Sequence, residues 1–215
     1  MGKVIVVAQQ KGGSGKTTLA VNLAIALVQQ GLRVAMVDSD PQGSLGRWFM
    51  ARMERDGAAD VEFATASAWG VAYECRKLRA SHDVVIVDTP PKADSDLRPA
   101  LREADLVLVP VMASQMDLWA TDGVLDLVAR ESGRALIILN RMATGTRLAD
   151  QIAAAAEQVA RVAEARLANR VAYAETLGQG RAAVEQRGPA EREVRALAQE
   201  VLADLARDGE QGAAA

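Results

Sequence analysis

One cysteine, Cys75, and one histidine, His82, stand in a chain of 215 residues. A single cysteine excludes a disulfide framework and leaves no set from which a cysteine-built zinc or iron–sulfur site could form. The reading for Cys75 is packing within a helix, and for His82 a surface turn rather than a base or ligand. No uninterrupted apolar run reaches the roughly 20 residues of a membrane-spanning helix. The opening MGKVIVV has neither a basic region ahead of a long apolar segment nor a small-residue cleavage signal, so the expectation is a chain without a signal peptide in a reducing cytoplasm. Basic residues are not in excess: 25 Lys and Arg face 28 Asp and Glu, a formal charge of -3. That balance argues against a wholly basic surface and leaves room for a local patch.

Half of the residues are hydrophobic, which suits one compact domain with its own core. The organising stretch is KGGSGKTT, Lys11 to Thr18, placed between the apolar run VIVVA and the helix-forming run LAVNLAIALVQQ. A strand that ends in glycines and then Lys-Thr predicts a phosphate cradle. Glycines let the backbone curl with its N–H groups inward, and the following helix N-terminus favours an anion. Gly12, Gly13, Ser14, Gly15 and Thr18 supply the cradle, Lys16 reaches the β- and γ-phosphates, and the Thr17 hydroxyl holds Mg²⁺. The common pattern has a glycine six positions ahead of its lysine. Here that place is Gln10, and a second lysine, Lys11, opens the loop. Lys11 is either a solvated lysine or a cation that reaches phosphates held by a second subunit.

Three carboxylates fall at strand ends. Asp38 and Asp40 sit in DSDPQGS after one apolar run, and Asp88 follows VVIV. Beside a triphosphate they would repel it unless a cation intervened, so together with Thr17 they imply Mg²⁺. Asp88 is placed as the Walker B carboxylate, touching the ion directly or through its waters. Asp40, on a Pro-Gly loop, suits the attacking water, although composition and spacing leave the roles of Asp38 and Asp40 open. Pro90 and Pro91 form a stiff segment able to report on the γ-phosphate. Asn140, ahead of Arg141 at a last strand tip, has an amide suited to an adenine edge and equally to a turn cap.

Strands are expected at Lys3–Ala8, Leu32–Val37, Val61–Ala64, Leu106–Val109 and Ala135–Leu139, with a further strong one in the run DVVIVDTPP that has Asp88 at its tip and a last short one at Ala168–Ala172. Helices are expected at Thr17–Gln30, Ser44–Met53, Val71–Ala80, Leu97–Glu103, Leu118–Glu131, Thr146–Ala165, Tyr173–Glu185 and Pro189–Ala206. Arg55 to Ala59 reads as a polar linker. The domain spans residues 1–209, and 210–215 read as a flexible tail. The alternation predicts an α/β fold, a mostly parallel, central twisted sheet with helices on both faces. Right-handed crossovers then bring the named strand tips to one edge. Trp48, Trp69 and Trp119 are core or interface. The arginines of the C-terminal region lie among glutamates and read as a mixed, locally paired face. A convergent subset would instead give salt-sensitive contact with a phosphate backbone, without base readout. The residues ahead of the cradle leave no room for a helix-turn-helix, and the tail, poor in lysine and large apolar residues, does not read as an amphipathic membrane anchor.

Five blocks carry a resemblance: KGGSGKTT at Lys11 to Thr18, DSDPQGS at Asp38 to Ser44, VVIVDTPP at Val84 to Pro91, MDLWAT at Met116 to Thr121, and VAYAETLGQGRAAVE at Val171 to Glu185. In letters, order and spacing, over nearly the whole chain, they resemble the ParA family of deviant-Walker partition ATPases, related to MinD. The small members without an N-terminal DNA-binding domain are the most similar. The resemblance implies a P-loop NTPase that uses ATP, ADP and Mg²⁺. Lys11 resembles the signature lysine that crosses an ATP-sandwich homodimer, Lys16 the Walker A lysine, and Thr17 the Mg²⁺ ligand. Asp40 resembles the switch I carboxylate at the hydrolytic water, Asp38 its acidic neighbour and Asp88 the Walker B aspartate. Asn140, followed by Arg141, resembles the adenine-reading asparagine. The family further implies ATP-dependent dimerisation, non-specific binding to nucleoid DNA, and slow hydrolysis stimulated by a protein carried on a plasmid, chromosome region or large protein cargo. The DNA-contact candidates are Arg166, Arg170, Arg192 and Arg195. A MinD-like membrane-cycling ATPase is the alternative, and it would need the terminal anchor.

Overall fold

The computed structural model describes residues 1–58, 60–91 and 94–211. Among them six strands form one sheet in the order β3-β2-β4-β1-β5-β6, with every pairing parallel. The strands are β1 (Lys3–Val7), β2 (Val34–Asp38), β3 (Glu62–Thr65), β4 (Val84–Asp88), β5 (Leu106–Val111) and β6 (Ala135–Leu139). The helices are α1 (Lys16–Val28), α2 (Ser44–Asp56), α3 (Val71–Leu78), α4 (Asp94–Glu103), α5 (Gln115–Trp119), α6 (Asp122–Glu131), α7 (Arg147–Glu157), α8 (Val171–Gly178) and α9 (Pro189–Gln211).

The strands read as continuous apolar runs because both faces of the sheet are covered. Side chains alternate between the faces, so β1 sends Ile5 and Val7 into one core and Val4 and Val6 into the other. The first core is closed by α1, α2, α8 and α9, and the second by α3, α4, α6 and α7. Cys75 is buried in the second, where burial pushes its thiol up to about 12, which leaves it a packing residue. His82 sits in the turn that closes α3, its ring nitrogen against the Leu78 carbonyl.

Parallel register sets the site. Val7 and Asp38 both lie level with Asp88 across the β1–β4 and β2–β4 pairs. The glycine-rich loop, the DSDPQGS loop and the VVIVD tip therefore leave the sheet side by side at its carboxyl edge, where open α/β sheets take their ligands.

Elements late in the chain depart from the expected ones. The helix expected at Thr146–Ala165 ends as α7 at Glu157, and the residues after it run along the open side of β6. Val162 bridges Ile137 and Ala168 bridges Met142, both parallel. Alanine favours helix by tenths of a kcal/mol per residue, which unpaired backbone groups at a sheet edge outweigh. Ala168 thus belongs to this bridging segment, and α8 already begins at Val171 where a strand was expected. The helix expected at Leu118–Glu131 is two helices parted at buried Thr121, whose hydroxyl bonds the Leu118 carbonyl at 2.5 Å. The helix expected at Tyr173–Glu185 stops at Gly178. Gly180 follows in a left-handed conformation, φ 64, where an added Cβ would lie 2.3 Å from the Arg52 amide nitrogen. Arg55 and Asp56 belong to α2, whereas Ala59 of the expected linker lies outside the described residues. α9 continues to Gln211, past the expected end at Ala206, and residues 212–215 of the expected tail lie outside the described residues.

The tie between α2 and the C-terminal segment is ionic. Arg52 is 3 % exposed and forks onto Asp60 at 2.6 and 2.8 Å and onto Glu185 at 3.0 and 3.1 Å, while it also donates to the Gly180 carbonyl. Its guanidinium lies 5.5 Å over the Trp48 ring, and the Trp48 indole donates to the Arg181 carbonyl at 3.0 Å. Arg52→Met removes the buried cation shared by Asp60 and Glu185. It is expected to lower unfolding free energy by about 3 kcal/mol in urea denaturation; a loss within about 0.5 kcal/mol of zero would show that the fork is replaceable by packing.

Candidate nucleotide site

The loop after β1 begins the site. Gly13 at φ 78 and Gly15 at φ 89 are left-handed, a backbone only glycine takes without strain. Gly15 is also crowded, since a Cβ there would lie 2.5 Å from the Asn140 amide nitrogen. That amide donates to the Ser14 carbonyl at 2.8 Å, and its oxygen accepts from the Arg141 N–H at 3.0 Å. Asn140 therefore clasps the loop to the tip of β6 and caps Arg141. Arg141 is the one non-glycine residue with positive φ, 52, among the described residues.

Lys16 opens α1 and is almost buried, with its ammonium 3.1 Å from the Gln9 carbonyl oxygen. Burial lowers its pKa, and Asp88 and Asp40 oppose that shift. The next residue, Thr17, donates its hydroxyl to Asp88 Oδ2 at 2.6 Å. Asp88 Oδ1 is buried with no hydrogen-bond partner among the described residues, and so is the Ser14 hydroxyl. Burial, first, and the neighbouring Asp38 and Asp40 push the Asp88 carboxyl up to about 7, against the Thr17 hydrogen bond and Lys16. A buried carboxylate oxygen left unsatisfied beside a threonine hydroxyl fits a hard divalent cation, which takes oxygen ligands.

Asp38 has a different setting. Its Oδ1 accepts from the Asp40 N–H at 3.0 Å and its Oδ2 from the Gly46 N–H at 2.9 Å. Both oxygens are thus spent on holding the DSDPQGS loop onto the start of α2, and burial raises the Asp38 pKa. Asp40 lies further out. Its Oδ1 accepts from the Gln42 N–H, and it borders a cavity of about 520 Å³ walled by Gly12, Gly13, Gly15, Lys16 and Thr17. No group of three or more His, Cys, Asp or Glu is arranged for a metal among the described residues.

A second cavity, about 430 Å³, shares Thr18 and Arg141 with the first and is bounded by Asn140, Asn169, Arg170 and Tyr173. Glu193 on α9 organises its wall by accepting from Arg170, from the Tyr173 hydroxyl and from the Ala168 N–H. Asn169 and Glu193 were not singled out by the sequence, and Tyr173 entered only as a letter of the Val171 to Glu185 block; the contacts that bring them together are made in the packed fold, where α9 lies against residues 168–173. Arg170, a DNA-contact candidate, lines this cavity and pairs with Glu193 at 2.6 Å. Arg166 pairs with Asp150 at 3.3 Å and Arg195 with Glu191 at 3.0 Å, while Arg192 is exposed on α9. Three of the four thus sit in local ion pairs. Trp48 is core, whereas Trp69 and Trp119 are exposed.

The raised Asp88 pKa has a sign that can be measured. Its folded-state value, about 7, lies above the ordinary 3.8, so the ligand-free fold favours the protonated carboxyl. The resulting destabilisation grows as pH rises from the unfolded value and is complete above the folded one. In buffer without nucleotide or Mg²⁺, Asp88→Asn should melt higher than the unaltered chain near about pH 8, and the difference should shrink steadily as pH falls toward about 4. A melting difference independent of pH would count against an ionising Asp88.

Comparison with known proteins places this geometry. The family model described as the CobQ/CobB/MinD/ParA nucleotide binding domain matches residues 5–187. A carboxysome distribution maintenance protein A of Halothiobacillus neapolitanus is 34% identical over 143 residues, 64% of this chain and 65% of that protein. The chromosome-partitioning ATPase Soj of Thermus thermophilus is 36% identical over 151 residues, 58% of this chain and 59% of its own length. The matched region thus spans less than two thirds of these relatives. Among solved structures, apo McdA of Cyanothece superposes with a TM-score of 0.79 at 21% identity, covering 94% of this chain and 100% of that one. MinD of Pyrococcus horikoshii complexed with Mg-ADP gives 0.76 at 21% identity, covering 94% and 96%. With the family model spanning the loop, both acidic strand tips and the Asn140 clasp, the chain belongs to the ParA/MinD group of deviant-Walker P-loop ATPases.

Proposed function

We propose that this chain is an ATP-hydrolysing positioning protein that dimerises around ATP and distributes a cargo along DNA. The observation that carries the reading is the pair of lysines in one loop. Lys16 is drawn into the cradle, while Lys11 turns away from it to an ion pair with Asp117 at 2.8 Å. One lysine thus serves the nucleotide of its own subunit and the other is free of that duty, as a cation supplied across a two-subunit site must be. The relatives named for carboxysome distribution and for chromosome partitioning support a cargo-positioning role.

Within a subunit the loop amides and Lys16 hold the phosphates, and the cavity beside Asn140, Arg141 and Asn169 takes the base. Thr17 and Asp88 would hold Mg²⁺, which would supply charge neutralisation at the phosphates. Asp38 shapes the loop that carries Asp40. Asp40 orients the attacking water and accepts its proton at the carboxylate, and Lys11 of the second subunit offsets charge developing on the phosphoryl oxygens. DNA binding uses basic residues brought together by the dimer, with exposed Arg192 and the paired Arg166, Arg170 and Arg195 as its candidates. Hydrolysis is slow until a cargo-bound protein stimulates it, and the chain works in the cytoplasm on the nucleoid. Among the described residues no helix is long and apolar enough to cross a membrane.

ATPase assays and co-sedimentation test the reading together. Asp40→Ala is expected to bind ATP about as well as the unaltered chain and to lose about 100-fold or more in turnover. Lys11→Ala is expected to bind ATP as a monomer and to form no ATP-dependent dimer in sedimentation. The unaltered chain should pellet with non-specific DNA only with ATP, and not with anionic liposomes. Pelleting with liposomes in place of DNA would favour a membrane-cycling ATPase, and a Lys11→Ala chain that still dimerised with ATP would remove the shared site.

A further inference from the structure

The contact that holds Lys11 is more elaborate than a surface ion pair. Asp117 lies in α5, a helix of five residues, with its side chain only 6% exposed, against 37% for Lys11. Asp117 Oδ2 accepts a hydrogen bond from the Ser114 hydroxyl, and the Ser114 oxygen in turn accepts from the Asp117 N–H at 3.1 Å as the helix cap. The carboxylate is therefore fixed from behind by its own cap, and the ammonium on its flexible stem is the member able to leave. The same short helix turns Met116 and Trp119 outward, 70% and 64% exposed, one turn apart. Two large apolar side chains thus flank a nearly buried carboxylate whose ion pair is with the lysine from the nucleotide loop.

We propose that α5 holds Lys11 in the separate subunit and is the surface on which a second copy of this chain seats, so that the second copy's nucleotide must draw Lys11 off Asp117. The proposal rests on the reading of Lys11 as a cation used in trans. Its physical core is competition for one ammonium. Withdrawing Lys11 leaves a nearly buried carboxylate without its cation, which is unfavourable. A polyphosphate carries several charges against the one of Asp117, and ADP, lacking the γ-phosphate, offers fewer. Dimer affinity is then scaled by the fraction of subunits in which Lys11 is released, a fraction that Asp117 keeps low. The second copy is the fitting occupant of α5 because Lys11 cannot reach a partner's phosphates unless that partner closes over the face from which Lys11 departs. Met116 and Trp119 are the apolar area on that face. Asp117 is thus a positioning residue, acting through Lys11.

The test follows dimerisation of the full chain by sedimentation while a non-hydrolysable ATP analogue is titrated with Mg²⁺. Asp117→Asn keeps the shape of the side chain and removes its charge, and is expected to lower the analogue concentration for half-dimerisation by about three- to tenfold. Asp117→Glu should stay near the unaltered chain. Trp119→Ser should raise the concentration needed without changing nucleotide affinity of the separate subunit. If Asp117→Asn is poorly folded, Asp117→Ser, which likewise removes the charge, should move the midpoint in the same direction. An unchanged or raised midpoint in whichever of these two variants is folded overturns the holding role, and a Trp119→Ser chain that dimerises normally overturns the seat. An unaltered chain that stays monomeric at every analogue concentration rejects the dimer reading itself, and the inference with it.

Discussion

The Thr17 hydroxyl meeting the Asp88 carboxylate at 2.6 Å is the contact on which the site depends. It joins the first turn of α1 to the tip of β4 and so fixes the phosphate loop relative to the acidic edge. It also leaves the second carboxylate oxygen buried and without a partner, which keeps the ligand-free site in an unfavourable electrostatic state. A folded chain that retains such an oxygen has a reason to bind a cation and the polyanion that comes with it. Lys16, also buried, offsets part of the carboxylate charge, and Asp38 and Asp40 add to it.

Around that contact the structure separates residues that touch ligand from residues that shape the frame. Asn140 spends its amide on the loop backbone and on the unusual conformation of Arg141. Asp38 spends both oxygens on backbone amides. Arg52 binds α2 to the C-terminal segment through the Glu185 carboxylate and the Gly180 carbonyl, and to the loop after α2 through Asp60. Through α2 the Asp40 loop is coupled to residues 180–185 far along the chain. Leu177 and Gly178 of α8 stand in the wall of the first cavity.

The early part of the chain was legible because its signals are local. Continuous apolar runs name buried parallel strands, glycines followed by Lys-Thr name the phosphate loop, and an aspartate after each run names a strand tip. Strand β6 is observed with the expected limits. The later part was less legible because tertiary contact overrode propensity. The alanine-rich stretch after Glu157 gave up helix for hydrogen bonds with β6, and the break at Thr121 separated α5 from α6 within a stretch that reads as continuous. The arginines near the C-terminus lie among glutamates along the chain, and three of the four candidates pair with carboxylates in space.

Covalent order alone settled the chemistry available: a phosphate loop with two lysines, a threonine and three carboxylates at strand ends. Those follow from the order of residues and from the two periodicities of helix and strand. Which atom faces which was left to the packed fold. Register put Val7, Asp38 and Asp88 level, and that brought Thr17 to Asp88. Packing of α5 put Asp117 under Lys11, far from it in sequence order, and gave the second lysine a partner within its own chain. The reason is that an ion pair depends on a separation of a few ångströms in space, and separation along the chain does not fix it.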